Sequence, residues 1–252
     1  MEHRLERILT ICLGGLWLAD GIFQLQPAMF TSTFVNAVLT PNLQNQPVIL
    51  AKIIAFGIHA FAANIFWWNL AAALIQILIG ALLLLPLRNN VKRFGLWLSA
   101  SWAIIIWIFG EGLGNLFAGS ATFYTGAPGA ALLYLILALF LLYPRKLPLQ
   151  KLPLFAGMLF LVSAILNLSI SGLLGTLLLI GIGMCLILIP VRPVAWITIA
   201  FLLVVWWIGQ SFGGLLTFPG GTATDFNTAP IFILFLLPIF FTEKISTVLI
   251  GK

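Results

Sequence analysis

The chain has 252 residues, of which 62% are hydrophobic and 7% charged, and its formal net charge is +6. Soluble globular domains carry roughly a quarter charged residues, so this composition excludes a soluble domain and indicates an all-α integral membrane protein. The positive surplus does not indicate nucleic-acid binding, because the basic residues form short clusters between apolar runs instead of one patch.

Eight apolar runs approach the length that crosses a hydrocarbon core of ~30 Å. The fourth and eighth are short and are expected to borrow loop residues or to lie in a thinner membrane. The sequence therefore predicts about eight transmembrane helices, at residues 7–25, 65–86, 94–112, 128–143, 152–168, 171–190, 193–211 and 229–242.

The basic clusters predict the orientation of these spans. They precede the first span and follow the second, fourth, sixth and eighth, so eleven of the twelve Lys and Arg residues fall on one side and Lys52 is the exception. Cytoplasmic loops collect Lys and Arg. We therefore expect both termini in the cytoplasm of a cell with a prokaryotic type of plasma membrane.

An extra segment, residues 25–64, separates the first two spans and has no counterpart later in the chain. Its first part is polar and contains two proline sites. Its second part, VILAKIIAFGIHAFAANIFWW, has a helical pattern and no clear breaker before the second span, which predicts a helix along the outer face. Lys52 and His59 are seven residues apart and share one face of this helix.

Two similar sequence motifs begin near the ends of the third and seventh spans. They are IWIFGEGLGNLFAG (residues 106–119) and VWWIGQSFGGLLT (205–217), and Gln210 of the second motif replaces Glu111 of the first. LLLLPLR is echoed by LILIPVR, and Thr-Gly-Ala-Pro ending at Pro128 by Asn-Thr-Ala-Pro ending at Pro230. Four spans in each half return the chain to the same side, which predicts two parallel four-helix repeats, residues 1–148 and 149–252.

Glycines concentrate where the third and seventh spans end. They permit either a broken, re-entrant helix that exposes backbone groups to a ligand, or a helix cap with close helix packing. Both interpretations apply to Gly110, Gly112, Gly114, Gly209 and Gly213.

Acidic residues near the outer ends of the spans are the leading candidates for a site, because a charge near hydrocarbon is costly and usually faces a cavity or a partner. The alternative is that the interface solvates them. We predict an outward-facing polar pocket, with two second-half amides matching its acids. The candidates are Asp20, Lys52, His59, Glu111 and Asp225, with Gln210 matched to Glu111 and Asn167 loosely matched to Asp20.

The sequence contains no phosphate-binding loop, nucleophile elbow or paired-cysteine redox motif, so enzymatic activity stays an open question. A lone histidine in the outer segment is a poor metal signal, and no metal site is predicted.

The first span, RLERILTICLGGLWLADGIFQL, resembles the opening of DoxX-type (DoxX/DoxD-like) membrane proteins through Arg7, Gly14, Trp17, Gly21 and Gln24. The four-helix unit agrees with the size of that family, whereas the GEGLGN motif lies outside the resemblance. The family includes membrane subunits linked to sulfur-compound oxidation with quinone. The resemblance therefore implies a quinone-linked membrane subunit within a membrane or redox complex, with quinone as its cofactor.

Two other functions stay open at this point. A small-solute or ion transporter would use Glu111 as a gated or protonatable site, and an assembly or scaffold subunit of a membrane complex would need no site. In each case the expected partner is the lipid bilayer, without nucleic acid.

Overall fold

The computed structural model describes residues 2–119, 122–166 and 172–241. Within these ranges the chain is helical and contains no strand, which confirms the predicted all-α fold. The helices are α1 (Glu2–Phe23), α2 (Val48–Ala63), α3 (Ile65–Leu84), α4 (Asn89–Ile105), α5 (Ala130–Leu142), α6 (Leu152–Leu166), α7 (Gly172–Leu188), α8 (Arg192–Val204) and α9 (Thr228–Phe241).

Four stretches are long and apolar enough to cross a bilayer: Ile65–Leu84, Asn89–Gly110, Leu149–Leu166 and Arg192–Gly209. They coincide with the second, third, fifth and seventh predicted spans and indicate a membrane protein. Helices α5, α7 and α9 are apolar but shorter, with 13, 17 and 14 residues. Helix α1 has 22 residues, but charged side chains occupy its first turns and Asp20 interrupts its apolar end. Eight spans therefore stay a prediction.

Glycines bring α1 against α3 and α6 against α7. A Cβ atom on Gly14 would lie 3.3 Å from the carbonyl oxygen of Gly80, and one on Gly157 would lie 2.8 Å from that of Gly183. Small residues let helix backbones approach closely in a membrane. The same glycine contact therefore occurs once in each half of the chain, and it places Gly157 in the position of Gly14.

The interior is one continuous hydrophobic cluster to which both halves contribute, from Leu9 in α1 to Phe232 in α9. Large apolar side chains also cover the outside, where Leu173 and Leu174 in α7 are 75% and 74% exposed. An apolar surface of this extent is unfavourable in water and is suited to contact with lipid.

The extra segment has a small core of its own. Short helical turns between Pro27 and Leu43 lead into α2, and their apolar side chains pack on Ile54 and Ile58 of that helix. The predicted helix is present, but it does not run on into α3, because the backbone breaks at Asn64 with φ −154° and ψ 71°. Asn competes with helical backbone hydrogen bonds, which makes it a common boundary residue.

Substitution of Gly80 tests the glycine contact. A Cβ at Gly80 would lie 2.8 Å from the backbone nitrogen of Leu18, so Gly80→Ala forces α1 away from α3. We expect a loss of about 1–3 kcal/mol and a lower unfolding temperature in detergent. Gly15→Ala is the matched control, since nothing lies within 4 Å of its Cβ, and it should be neutral or stabilising by up to ~1 kcal/mol. Equal unfolding temperatures for the two variants would contradict the contact.

Candidate functional site

Helices α4 and α8 both end in a π turn, Ile106–Gly110 and Val205–Gly209. The Glu111 N–H donates to the Ile106 carbonyl at 2.9 Å, and the Gln210 N–H donates to the Val205 carbonyl at 3.0 Å. We call residues 106–115 the first turn motif and residues 205–214 the second. Single π turns within α-helices are frequent at functional sites.

Each motif then reverses the chain through left-handed residues. Gly114 has φ 63° and Gly213 has φ 63°, and a Cβ on either would collide with the backbone that precedes the next helix, at Pro128 and Phe226 respectively. The left-handed conformation favours glycine at both positions, and the close contact requires it. Of the other predicted glycines, Gly112 also has positive φ and Gly209 touches the Tyr124 carbonyl, whereas Gly110 has neither constraint.

The two motifs bind the following helix with the same hydrogen bond. Glu111 Oε1 accepts from the backbone N–H of Ala131 at 3.0 Å, and Gln210 Oε1 accepts from that of Ala229 at 3.2 Å. Each side-chain oxygen thus satisfies an N–H group in the first turn of a helix, which otherwise lacks an intrahelical partner. The change from acid to amide preserves this bond.

A second shared bond fixes the register between the motifs. Trp107 Nε1 donates to the Pro128 carbonyl at 2.9 Å, and Trp206 Nε1 donates to the Phe226 carbonyl at 2.8 Å. The structure therefore matches Pro128 with Phe226. The predicted pairing of Pro128 with Pro230 was wrong by one helical turn, because a short motif of turn-forming residues aligns almost equally well when it is shifted along the sequence.

The extra segment holds the first turn motif by amide side chains. Asn42 Nδ2 donates to the Gly110 carbonyl at 2.6 Å, Gln46 Nε2 donates to the Gly112 carbonyl at 3.1 Å, and Asn115 Nδ2 donates to Asn42 Oδ1 at 3.1 Å. These contacts occupy the backbone oxygens that a re-entrant loop would offer to a ligand. The geometry therefore favours the packing interpretation of the glycines.

A cavity of about 360 Å³, here called the acidic pocket, lies between this segment and helices α1, α3, α4 and α5. The structure brings Asp20, Glu111 and Asp225 to its wall, and Asp225 reaches it from the loop before α9 in the second half of the chain. The remaining wall is largely apolar and aromatic and includes Trp17 and Trp102.

The carboxyl groups of the acidic pocket have no basic partner among the described lining residues. Asp20 is 2% exposed, Glu111 and Asp225 are half-buried, and the three carboxyl groups lie close enough to interact electrostatically. Of the described residues that line the pocket, none is Lys, Arg or His. Buried carboxylates are usually paired, and these have no basic partner at the site.

Unpartnered polar atoms also concentrate at the acidic pocket. Native proteins leave few buried polar atoms without a hydrogen bond. Tyr134 adjoins the Asp20 carboxyl, but no well-formed hydrogen bond satisfies its hydroxyl. Six buried atoms of lining residues have no hydrogen-bond partner within the described part of the chain: Asp20 Oδ1, Gln24 Oε1, Gln76 Oε1, Trp102 Nε1, Glu111 Oε2 and Tyr134 OH.

The corresponding place in the second half is closed by phenylalanine. The shared glycine contacts and hydrogen bonds match three aromatic residues of the acidic pocket with three of the second half: Trp17 with Phe160, Trp102 with Phe201, and Tyr134 with Phe232. The ring of Phe123, from the loop before α5, lies between the second set, with centroid distances of 4.7, 6.1 and 5.4 Å to Phe160, Phe201 and Phe232.

At this second site, both polar atoms of the Gln210 side chain have hydrogen-bond partners. Gln210 is 5% exposed, and its Nε2 donates to Thr228 Oγ1 at 2.9 Å and to the Phe123 carbonyl at 3.4 Å. The glycine contact matches Asp20 with Ser163 instead of Asn167, which itself lies outside the described residues. An acidic, polar pocket in one half therefore corresponds to a neutral, packed core in the other.

Lys52 and His59 do not belong to the acidic pocket. Both are exposed on α2, and the prediction that they line the pocket was wrong. The reason is that Ile54 and Ile58 form the face of α2 that packs inward, which turns the Lys52 and His59 face outward. Their seven-residue spacing identified a shared face but not its direction.

Sequence reasoning did not single out Gln76 or Tyr134 as pocket residues. Each is a polar side chain within a long apolar run, and this is the signal that would have found them. Gln24 was noted only for the family resemblance, although it is 6% exposed at the pocket wall.

Asp225 lies in the loop between the second turn motif and α9, outside the spanning stretches. Burial raises the pKa of its carboxyl group, while hydrogen bonds from the Thr224 hydroxyl and the Asn227 backbone N–H act in the opposite direction. Burial is the larger effect, so Asp225 holds its proton to a higher pH than an exposed aspartate does.

No family model, curated protein or solved structure matches this chain. Its class is therefore defined by its own geometry: it is a helical membrane protein with an acidic, aromatic-walled pocket.

Removal of the Asn42 side chain tests how the extra segment holds the first turn motif. Asn42→Ala deletes the bond to the Gly110 carbonyl and should cost about 1 kcal/mol, because a half-buried acceptor loses its donor. We expect hydrogen exchange at residues 106–115 to become several-fold faster in the detergent-solubilised protein. The second turn motif, which Asn42 does not contact, is the internal control, and equal acceleration in both motifs would contradict a local role.

Proposed function

We propose that this chain is a polytopic membrane protein that binds a small organic cation in the acidic pocket and exchanges it against protons, as a small-solute transporter does. The observation that carries this proposal is the surplus of unpartnered acceptor oxygens beside three carboxyl groups, without a basic residue among the lining residues described. A cationic ligand would supply both the missing donors and the missing charge.

The electrostatics favour exchange with protons. An isolated carboxylate in a low-dielectric site is costly, and the cost falls when the group takes up a proton or faces a cation. Binding of a cation therefore promotes ionisation of the carboxyl groups, and their protons leave. Indole rings at the wall add cation–π attraction, which is strongest for tryptophan.

The second half indicates the size of the ligand. Phe123 occupies the place that corresponds to the acidic pocket, so the scaffold accommodates one benzene ring there. A ligand with one aromatic ring and an ammonium group matches both the ring-sized space and the charge.

The wider architecture is part of the same proposal. Eight spans in two parallel four-helix repeats would relate the acidic pocket to the Phe123 site and place both termini in the cytoplasm. The recurring glycine contacts and turn-motif hydrogen bonds support this arrangement. The pocket lies near the end of α4 and the basic cluster at its start, so the pocket would open on the outer side.

A quinone is the second candidate ligand. Trp102 Nε1 and the Tyr134 hydroxyl are unpartnered donors on the pocket wall, and two donors suit the two carbonyl oxygens of a quinone ring. This candidate agrees with the resemblance of the first span to DoxX-type proteins. It does not use the carboxyl groups as charges, which separates it from the cation proposal.

Calorimetry on the protein in nanodiscs tests the proposal with benzamidinium, which carries one aromatic ring, one positive charge and several N–H donors. We expect Glu111→Gln to weaken binding by about tenfold or more, because a charged partner is lost while the bond to Ala131 is retained, as Gln210 retains its bond to Ala229. Glu6→Gln, which changes an acid away from the pocket, is the matched control and should bind like the parent.

The alternatives give different results in the same assay. If Glu111→Gln and the parent bind the cation equally, the proposal fails. Binding of menadione that is insensitive to Glu111→Gln but weakened by Tyr134→Phe would support the quinone. If neither probe binds, the scaffold function predicted above is the one that stands.

The pH dependence gives an independent check. Benzamidinium keeps its charge throughout the neutral pH range, so changes in its affinity report the titration of the protein. Because the raised pKa of Asp225 keeps this group protonated to a higher pH than usual, affinity should rise as pH increases through that pKa and fall as pH decreases. Asp225→Asn should flatten this part of the profile, while Glu6→Gln leaves it unchanged. A profile of the opposite slope would contradict proton exchange.

A further inference from the structure

A second crevice, of about 920 Å³, lies at the opposite end of the molecule from the acidic pocket. It is bounded by the start of α1, the connection from α3 to α4 and the residues that follow α5. We call it the basic crevice, because five cationic side chains line it: Arg7, Lys92, Arg93, Arg145 and Lys146.

These cations have no acidic partner among the described residues. The one acid that lines the basic crevice, Glu6, lies 3.8 Å from His3 Nδ1, and no ion pair joins it to Arg7 or to the other four cations. The positive charge is therefore available to an anion from outside the chain. The orientation of the spans does not explain why these cationic side chains gather at one crevice, because it requires only that basic residues lie near the cytoplasmic ends of the spans.

The backbone contributes a further positive element. Helix α4 begins at Asn89, which lines the basic crevice, and no side chain caps its first N–H groups. No acidic residue occurs in its first turn. Uncapped N–H groups and the positive end of the helix dipole bind phosphate oxygens well.

The floor of the basic crevice is apolar. It is formed by the buried side chains of Leu83 in α3, Leu96 in α4, and Leu141 and Leu142 in α5. Half-buried Leu84 in α3 and Ile11 in α1, which is 43% exposed, extend this apolar lining to the surface. Contact with such a surface does not favour the binding of a small free anion. Charges at the rim above leucine side chains fit a molecule that carries a phosphate group and hydrocarbon chains.

We propose that the basic crevice binds the phosphate headgroup of an anionic phospholipid, with its acyl chains along the outward-facing apolar side chains of α1 and α3. Basic pockets between membrane helices are suited to such headgroups, and each Lys or Arg near the surface contributes about 1 kcal/mol. The proposal is independent of the acidic pocket and of any ligand bound there.

Native mass spectrometry tests it on the full chain, released from vesicles of equal phosphatidylglycerol and phosphatidylcholine. We expect bound phosphatidylglycerol to be enriched about fivefold or more, the factor for 1 kcal/mol. The triple variant Arg7→Gln/Lys92→Gln/Arg145→Gln should lose this enrichment. Lys151→Gln is the matched control, because Lys151 is exposed in the same region of the sequence but does not line the crevice.

Two results would overturn the proposal. Unchanged enrichment in the triple variant would show that the crevice does not select the lipid. Complete displacement of the lipid by millimolar glycerol phosphate would assign the site to a free phosphate compound instead. If the triple variant does not fold, the double variant Arg93→Gln/Lys146→Gln, in which both changed side chains are exposed, carries the same expectation.

Discussion

The hydrogen bond between Glu111 Oε1 and the backbone N–H of Ala131 ties the end of α4 to the start of α5, and the acidic pocket depends on it. The bond fixes one carboxylate oxygen and leaves the other, Oε2, buried without a partner. It also sets the separation of the helices that carry Trp102 and Tyr134. An amide makes the same bond in the second half, so the bond itself does not need the charge.

The two halves of the chain share a set of hydrogen bonds around two different interiors. Phenylalanine rings fill one site, and Gln210 satisfies its polar groups there. In the other site the matched positions carry an indole N–H, a phenol hydroxyl and an acid. Packing a ring into a membrane protein interior stabilises it by dispersion and burial, whereas unsatisfied polar groups destabilise it. The acidic pocket is therefore expected to contribute less to stability than the phenylalanine-filled site does.

Much of this was predictable from the sequence. Composition indicated the class, hydrophobic runs located the helices, and the repeated motif that carries Glu111 and Gln210 directed attention to the ends of α4 and α8. The rest depends on packing that single-sequence patterns do not encode. Periodicity placed Lys52 and His59 on one face of α2. It did not show which face is buried, because the helix is apolar nearly all round. The matched glycines of α1 and α6 are separated by a different number of residues than the matched residues of the two turn motifs are. A single alignment of the two halves therefore does not reveal the match of Asp20 with Ser163.

The loops that complete the two sites come from opposite halves of the chain. Phe123, in the first half, fills the site of the second half, while Asp225, in the second, reaches the wall of the first. Gln26 Nε2 strengthens this crossing by donating to the Ala223 carbonyl at 2.9 Å. Each half thus contributes one side chain to the site of the other half. Cutting the chain between them would leave one fragment without the ring that fills its interior and the other without its third acid, so each site requires both halves of the chain.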